Sequence, residues 1–337
     1  MAQHTREGRG LRCTPERRLG GLLGIIYGSV KGNDMTTRAA DPASGSIFVT
    51  GASSGFGAHI SALMAARGHH VVASMRDASK SDLLYELLAH YGGDASLLSV
   101  IELDVTSPQS RTKAVDFLTT STRPPKSVLH CAGYTTAAFF EDLPSESIRD
   151  QFETNFFGAV ELTKLLLPAM RSRGEGTIAV ITSNAVNIAH PMYSIYAASK
   201  WSLEGWAEAL AIELAPFGIN VIILQPGNHD TAFASNVVSI NPEASPYADL
   251  HAVAMGRLRA LGDRARSTAK AATEICDALE AESPPLRVRI GNDDKLMAAL
   301  ARWAPYSVRR RIVERITGLT KNALTSEPLG NAVPTTK

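Results

Sequence analysis

The stretch Thr50-Gly51-Ala52-Ser53-Ser54-Gly55-Phe56-Gly57 decides the fold of this chain. It follows the apolar segment SIFVT and opens an amphipathic helix. In such a turn the backbone amides and the positive helix terminus face a pyrophosphate, which side chains at the glycines would block. We therefore predict a turn that binds a dinucleotide, with contacts from Gly51, Ser53, Ser54, Gly55, Phe56 and Gly57.

The glycine spacing in this turn is Gly-x-x-x-Gly-x-Gly. It departs from the Gly-x-Gly-x-x-Gly of the general dinucleotide fingerprint, so the turn alone leaves an alternative open. Three glycines can also form a tight turn that binds nothing. The choice between these interpretations depends on residues further along the chain.

Short apolar segments alternate with longer helical ones from Ser46 onward, which indicates a parallel sheet with helices on both faces. We predict an α/β fold, a doubly wound, Rossmann-like parallel sheet of about seven strands. The long helical segments are predicted at about 145–173 and 195–215. The predicted strands lie at about 46–50, 70–75, 97–103, 127–130, 177–182, 219–224 and 286–290.

Composition excludes several classes of function. The chain has 337 residues, of which 45% are hydrophobic and 20% charged, and a formal net charge of +1. A nearly neutral chain has no general attraction to nucleic acid, so we expect no nucleic-acid partner. The three cysteines form no CxxC or Cys/His pattern and no even disulfide framework. We therefore predict no metal site and a cytoplasmic location.

We predict three parts: an extension at 1–44, a dinucleotide-binding and catalytic domain at 45–291, and a helical tail at 292–337. The extension is Arg-rich with a short apolar run, and a disordered tail, an upstream start and a targeting segment all fit it. The tail is basic and amphipathic. Packing on its own domain is the simplest interpretation, and capping the substrate cleft, packing on a partner subunit or peripheral membrane contact are the alternatives.

Tyr196 and Lys200 are four residues apart in a predicted helix and so share one face. An ammonium beside a phenol favours the ionised phenol, so we expect Lys200 to lower the Tyr196 pKa below its usual value of about 10. A phenol tuned in this way can transfer a proton near neutral pH. Tyr193 competes for this role, but the residue four positions beyond it is Ala197.

Together, the Gly-rich turn, Asn155, Ser183 and the Tyr196-to-Lys200 segment resemble the short-chain dehydrogenase/reductase family in its compact form. The resemblance covers about residues 45–290. It implies that Ser183, rather than Thr182, binds the substrate carbonyl, and that Tyr196 delivers the proton. It also implies that Lys200 holds the nicotinamide ribose and that Asn155 positions a water behind the lysine. Asn155 could instead satisfy backbone groups at a helix kink.

The identity of the cofactor depends on the end of the second strand, where an acidic residue favours NAD and an arginine accommodates the 2′-phosphate of NADP. The chain has Met75 where NAD-preferring relatives carry Asp, and Arg76 follows it. We therefore predict NADP(H) rather than NAD(H). Arg76 could instead be a solvated charge paired with Asp77.

The resemblance assigns further cofactor contacts to Asp104, Val105, Ala132, Gly133, Pro226, Gly227 and Thr231, besides Asn155, Tyr196 and Lys200. The chain departs from the family at His130-Cys131-Ala132-Gly133, where relatives usually have Asn-Asn-Ala-Gly. This departure weakens the case for Cys131 as a contact and leaves His130 in a structural role. His229 lies in an unusual loop, where a bond to Asp230 is favoured over action on the substrate.

The segment after Thr231, about residues 232–263, has weak periodicity and is predicted to be a mobile lid. Apolar residues there and before Tyr196 predict a hydrophobic pocket for a bulky ketone or alcohol, such as a steroid, retinoid or polyketide. The predicted substrate contacts are His190, Tyr193, Asn228 and Phe233.

The sequence thus predicts an NADP(H)-dependent carbonyl reductase or alcohol dehydrogenase. One alternative is an epimerase or dehydratase of the same superfamily, and another is a non-catalytic NADP sensor. The resemblance also implies a homodimer or homotetramer that associates through the two long helices.

Overall fold

A computed structural model describes residues 45–227, 229–230, 237–242, 244–262, 266–291, 301 and 303–320 of the chain. Its centre is a sheet of seven strands in the order β3-β2-β1-β4-β6-β7-β11, with every neighbouring pair parallel. The strands are β1 Ser46–Val49, β2 His70–Met75, β3 Leu98–Glu102, β4 Pro125–His130, β6 Gly176–Ile181, β7 Ile219–Pro226 and β11 Arg287–Ile290. The predicted fold class is confirmed.

Among the described residues, four further strands are two residues long and form two small parallel pairs. They are β5 Thr136–Ala137, β8 His229–Asp230, β9 Val238–Ser239 and β10 Arg266–Ser267. β5 pairs with β9, and β8 pairs with β10. In the chain, β5 follows the carboxyl end of β4, and β8 follows that of β7.

Helices cover both faces of the sheet, because strands buried on two sides need apolar partners on each. One core cluster joins the sheet to the helices that follow β1, β2 and β10, and a second joins it to the helices that follow β3, β5 and β6. The helices are α1 Gly55–Ala66, α2 Asp82–His90, α3 Pro108–Thr120, α4 Ser145–Phe152, α5 Gly158–Arg173, α6 Ser194–Leu214, α7 Ala248–Gly262, α8 Thr268–Glu280 and α9 Tyr306–Thr317.

Two elements differ from the sequence prediction. The helical segment predicted at about 145–173 contains a π-helical turn, Glu153–Phe157, between α4 and α5. The segment predicted to be a mobile lid contains a 15-residue helix, α7, for which the sequence pattern gives no clear indication. Its apolar residues do not all lie on the buried face, which explains the weak periodicity, since Ala254 is fully buried while Val253 is 46% exposed.

The tail helix α9 packs on α7. The Arg257 guanidinium donates a hydrogen bond to the carbonyl of Arg315 at 2.9 Å, and Leu319 joins an apolar cluster with Ala254. The described part of the tail thus contacts the main body, while residues 1–44 and most of 292–302 lie outside the described residues. Within the described part of the chain, no helix is both long and apolar enough to cross a bilayer.

Candidate active site

The Gly-rich turn joins β1 to α1 and is too closely coiled to accept side chains at two of its glycines. Gly51 has φ +69°, and a Cβ there would lie 2.7 Å from Ala132 Cα. A Cβ on Gly57 would lie 2.2 Å from the carbonyl oxygen of Gly51. Ser54 precedes α1 and makes no side-chain capping bond to it. The first amides of α1 are therefore open to an anion, and the turn fits the pyrophosphate of a dinucleotide.

The strand ends beside this turn form a surface of small residues. The Thr50 hydroxyl accepts hydrogen bonds from the backbone N–H groups of Cys131 and Ala132, both at 3.1 Å, and ties the end of β1 to that of β4. A Cβ on Gly133 would lie 3.1 Å from Asn155 Oδ1 and 3.4 Å from Lys200 Nζ. The sheet order reverses between β1 and β4, and ligands of open α/β sheets bind at such a point.

Ser183 lies just beyond the carboxyl end of β6 and is 8% exposed. Its hydroxyl accepts a hydrogen bond from the N–H of Ala185 at 3.2 Å and hydrogen-bonds the Tyr196 hydroxyl. The neighbouring Thr182 hydroxyl lies 2.8 Å from Glu204 Oε1 and 3.1 Å from the carbonyl of Leu224. Ser183, not Thr182, therefore shares a site with the phenol.

Tyr196 and Lys200 lie one turn apart on α6, as predicted. Tyr196 is partly buried, and its ring meets the Tyr193 ring edge-on, with 6.5 Å between centroids. Lys200 is 4% exposed. Its Nζ lies 6.0 Å from the Tyr196 ring centroid and donates a hydrogen bond to the carbonyl of Ile181 at 2.9 Å. The structure thus brings Ser183, Tyr196 and Lys200 together.

The expected lowering of the Tyr196 pKa by Lys200 is wrong for the chain alone. Burial raises the pKa of Tyr196 to about 12, although the Ser183 hydrogen bond opposes the rise. Burial also lowers the pKa of Lys200 to about 8. The sequence reveals the spacing of the two side chains but not the loss of water around them. A phenol with a raised pKa keeps its proton at neutral pH and can donate it to a stronger base such as an alkoxide.

Asn155 lies in the π-helical turn and is 1% exposed. Its Oδ1 accepts from the N–H of Tyr134 at 3.0 Å, while its Nδ2 donates to the Tyr134 carbonyl at 2.9 Å and to Ser199 Oγ at 3.0 Å. The amide therefore satisfies backbone groups, as the structural alternative anticipated, although they belong to the loop after β4 rather than to its own helix. It joins that loop to the residue preceding Lys200.

Residues 46–241 match the model of the family described as short chain dehydrogenase. The chain belongs to the short-chain dehydrogenase family. It is 34% identical over 275 residues to the uncharacterised oxidoreductase YusZ of Bacillus subtilis, which covers 79% of this chain and 96% of YusZ. It is 29% identical over 262 residues to the 3-ketodihydrosphingosine reductase of Bacteroides thetaiotaomicron, with 77% and 93% of the two chains covered.

Solved structures agree with this assignment. A short-chain dehydrogenase from Streptomyces avermitilis is 33% identical with a TM-score of 0.67, covering 81% of this chain and 96% of the other. Actinorhodin polyketide ketoreductase with NADPH is 25% identical with a TM-score of 0.61, covering 73% and 95% of the two chains. The chain is thus an oxidoreductase of a family that uses nicotinamide cofactors.

Arg76 lies just beyond the end of β2 and is exposed. The Asp77 carboxylate accepts hydrogen bonds from Ser79 and lies 3.7 Å from Lys80, rather than pairing with Arg76. No carboxylate in the described ranges forms an ion pair with Arg76. In this short-chain dehydrogenase the guanidinium is therefore available to a ligand at the edge where a cofactor ribose would lie.

Asp104 and Val105 follow β3 and have different surroundings. The Asp104 Oδ1 accepts hydrogen bonds from the N–H of Thr106 at 2.9 Å and from its hydroxyl at 2.8 Å. Val105 is 7% exposed, packs under Gly158, and its carbonyl accepts from Arg111 at 2.7 Å. Of these two predicted cofactor contacts, the second oxygen of Asp104 is the better placed, because the Val105 side chain belongs to the core.

Pro226 and Gly227 lie at the carboxyl end of β7, on the same edge of the sheet as Ser183. The predicted contacts Asn228, Thr231 and Phe233 lie outside the described residues. His229 is 6% exposed, and its Nδ1 lies 3.1 Å from the carbonyl of Gly227, while its ring meets Phe56 edge-on. This packing favours a structural role for His229, held by Gly227 within its own loop.

The predicted substrate side is apolar. Tyr193 and the buried Met192 pack with Ala137, Ala254 and Met255. Met192 has φ +70°, a left-handed conformation that is rare outside glycine. His190 is partly buried, its Nδ1 makes no hydrogen bond to any residue that the structure describes, and burial lowers its pKa. His190 therefore lies in the loop before Tyr196 with its Nδ1 enclosed by protein.

The departures from the family pattern are structural. His130 is 4% exposed and its Nε2 lies 2.7 Å from the Thr163 hydroxyl, and burial lowers its pKa to about 4. Burial raises the pKa of Cys131 to about 11, so it is a thiol at neutral pH. Within the described ranges, no three His, Cys, Asp or Glu side chains gather to hold a metal ion.

The sequence analysis missed three residues that support the site. Thr50 joins the two central strand ends, and Ser199 receives the Asn155 amide while donating to the Tyr196 carbonyl at 2.8 Å. Glu204 is a buried carboxylate on α6. The spacing of Glu204, four residues beyond Lys200, was the available signal, since it places both on one helix face.

Proposed function

We propose that this chain is an NADP(H)-dependent carbonyl reductase or alcohol dehydrogenase that acts on a hydrophobic ketone or secondary alcohol. The observation that carries the proposal is the convergence of Ser183, Tyr196 and Lys200 beside the Gly-rich turn. Ser183 follows the carboxyl end of β6, and Lys200 Nζ contacts the Ile181 carbonyl of the same strand and lies near Gly133, which follows β4. The cofactor, when bound, supplies or accepts the hydride.

Side chains of the proposed site stabilise the negative charge that develops on the substrate oxygen. Negative charge grows on a carbonyl oxygen during reduction, and the hydroxyl groups of Ser183 and Tyr196 donate hydrogen bonds to it. Tyr196 then delivers its proton. Lys200 Nζ lies near both the Tyr196 ring and Gly133, where its ammonium would hold the ribose hydroxyls of a bound cofactor. Asn155 fixes the loop that carries Gly133 against α6.

The substrate class is inferred from the apolar cluster formed by Met192, Tyr193, Ala254 and their neighbours. Such surroundings favour a bulky hydrophobic ligand with few polar contacts. We assign those polar contacts to Ser183, Tyr196 and His190, with Tyr193 as an aromatic wall. The similarity to a 3-ketodihydrosphingosine reductase and to a polyketide ketoreductase supports a hydrophobic ketone.

The test is a panel of ketones and alcohols of increasing chain length, followed by NADPH or NADP consumption. We expect kcat/KM to rise with apolar surface among the ketones and small charged keto acids to be poor substrates. Turnover of small charged acids alone would contradict the substrate class. Redox-neutral conversion of a sugar nucleotide would favour the epimerase alternative, and NADP binding without any turnover would favour the sensor.

We expect Arg76→Ala to weaken NADPH binding while leaving NADH binding nearly unchanged. A hydrogen bond to a charged group contributes about 1.5–3 kcal/mol, which corresponds to roughly a ten- to hundredfold rise in the NADPH dissociation constant. Titration of the purified chain with each cofactor measures both affinities. Lys80→Ala is the control, because this exposed neighbour pairs with Asp77. Equal losses for both cofactors would contradict the assignment to the 2′-phosphate.

The lowered pKa of Lys200 predicts a pH dependence. Its ammonium is present below pH about 8 and is lost as the pH rises through that value. The value of kcat/KM for NADPH depends on the protonation of groups in the free enzyme. We expect it to show a break near pH 8 and to fall by about tenfold per pH unit above that break. Tyr196 stays protonated over this range. Lys200→Arg keeps the cation and should remove the break, and an unbroken profile in the unaltered chain would contradict a role for the ammonium.

We also propose a homo-oligomer in the cytoplasm. The outer faces of α5 and α6 expose large apolar side chains, including Leu165, Trp201 and Ile212, and Phe157 lies beside them. Ile212 is 76% exposed, and packing against a second copy would remove this apolar surface from water. The thiols of Cys131 and Cys276 are free, which suits a reducing compartment. Nothing in the composition favours a nucleic-acid partner.

A further inference from the structure

A buried carboxylate on α6 connects this helix to three strands, two of which lead into residues of the proposed site. Glu204 lies on α6, one turn beyond Lys200, and is 6% exposed. A buried carboxylate is costly unless hydrogen bonds and an opposite charge satisfy it. The sequence places it near the site without indicating its partners.

Both oxygens of Glu204 are occupied. Oε1 accepts from the Thr182 hydroxyl at 2.8 Å and from Gln225 Nε2 at 2.8 Å. Oε2 accepts from Arg287 Nε at 2.9 Å and lies 2.9 Å from Arg287 Nη2. Each partner comes from a different strand, since Thr182 follows β6, Gln225 belongs to β7 and Arg287 opens β11.

The partners are adjacent in sequence to the residues assigned to chemistry. Thr182 precedes Ser183, and Gln225 precedes Pro226 and Gly227. Backbone bonds reinforce the same register, because the N–H of Thr182 donates to the carbonyl of Leu224 at 2.8 Å. Glu204, on the same helix as Tyr196 and Lys200, therefore fixes the ends of β6 and β7, which lead into the other residues of the proposed site.

We infer that Glu204 is a positioning residue, which holds Ser183 at hydrogen-bonding distance from Tyr196 by fixing β6 and β7 against α6. This inference rests on the proposed function. Positioning affects the rate because reacting groups must be held to within a fraction of an ångström, and small displacements lower the rate by large factors. Glu204 itself does not touch the substrate.

The test compares Glu204→Gln with Glu208→Gln. Glutamine keeps the shape of Glu204 but brings an amide where one carboxylate oxygen accepted hydrogen bonds. Glu208 is the matched control, because its carboxylate is 59% exposed and lies 3.1 Å from the same Arg287. We expect Glu204→Gln to lower kcat about tenfold or more. Glu208→Gln should retain kcat.

Two readouts separate positioning from stability. Turnover is measured well below the unfolding midpoint of each variant, and hydrogen exchange is followed at the end of β6 and the start of α6. We expect faster exchange there and no change in α3. A lower midpoint with unchanged kcat and exchange would overturn the inference.

If Glu204→Gln does not fold, Thr182→Val replaces it, because this change removes one donor beside Ser183 at nearly constant shape. It should also lower kcat, and an unchanged kcat would overturn the inference. If the unaltered chain turns over no ketone or alcohol, the proposed function fails. The exchange comparison then still decides whether Glu204 fixes the strand ends.

Discussion

Tyr196→Phe should lower ketone reduction by at least about a hundredfold, the usual scale of general acid catalysis. The change removes only the hydroxyl that hydrogen-bonds Ser183 and carries the proton. It leaves the ring, and therefore the packing against Tyr193, in place. NADPH affinity should stay nearly unchanged, because Lys200 still donates to the Ile181 carbonyl and remains near Gly133. Steady-state rates and NADPH titration measure the two quantities.

Tyr193→Phe is the matched control for this prediction. Tyr193 lies three residues earlier and touches the same ring, but it has no lysine one turn beyond it. We expect it to change KM for the ketone more than kcat, since it lines the apolar side of the site. If the two variants lose turnover equally, Tyr196 is not the specific proton donor.

Gly57→Ala should lower NADPH affinity by roughly ten- to hundredfold. The new Cβ would lie 2.2 Å from the carbonyl oxygen of Gly51, so the backbone of the turn must shift. Overpacking of this kind costs about 1–3 kcal/mol, and here it displaces the amides that face the pyrophosphate. Calorimetric titration with NADPH measures the loss, and the thermal midpoint shows whether the fold persists.

Gly205→Ala controls for the general effect of adding a methyl group to a helical glycine. Gly205 is exposed on α6, and a Cβ there meets nothing within 4 Å. Replacing glycine inside a helix should stabilise the chain by about 0.5–1 kcal/mol and leave NADPH affinity intact. Unchanged NADPH binding in Gly57→Ala would mean that the turn does not hold the pyrophosphate.

The strands were predictable from sequence because buried parallel strands are short apolar runs. All four residues of β1 are buried, and its predicted bounds differ from those observed by one residue. The helix α7 was missed because its apolar residues do not follow one face, and its contacts with α9 come from residues far along the chain. Such distant contacts have no local signal.

The candidate site was predictable where spacing determines geometry. Tyr196 and Lys200 share a helix face, and the glycines of the turn follow β1 as expected. The direction of the Tyr196 pKa shift was not predictable, because burial arises from elements that meet only in the fold. The hydrogen-bond partners of Asn155 and Glu204 were also not predictable, because they lie between 21 and 83 residues away in the sequence.

The most direct test of the account is transfer of deuterium from NADPH labelled at nicotinamide C4 to a hydrophobic ketone. Product mass is measured with each of the two labelled stereoisomers in turn. The account predicts an alcohol that carries one deuterium from one stereoisomer and none from the other, with little product from Tyr196→Phe. An alcohol formed without deuterium from either stereoisomer, or no alcohol from any ketone of the panel, would contradict it.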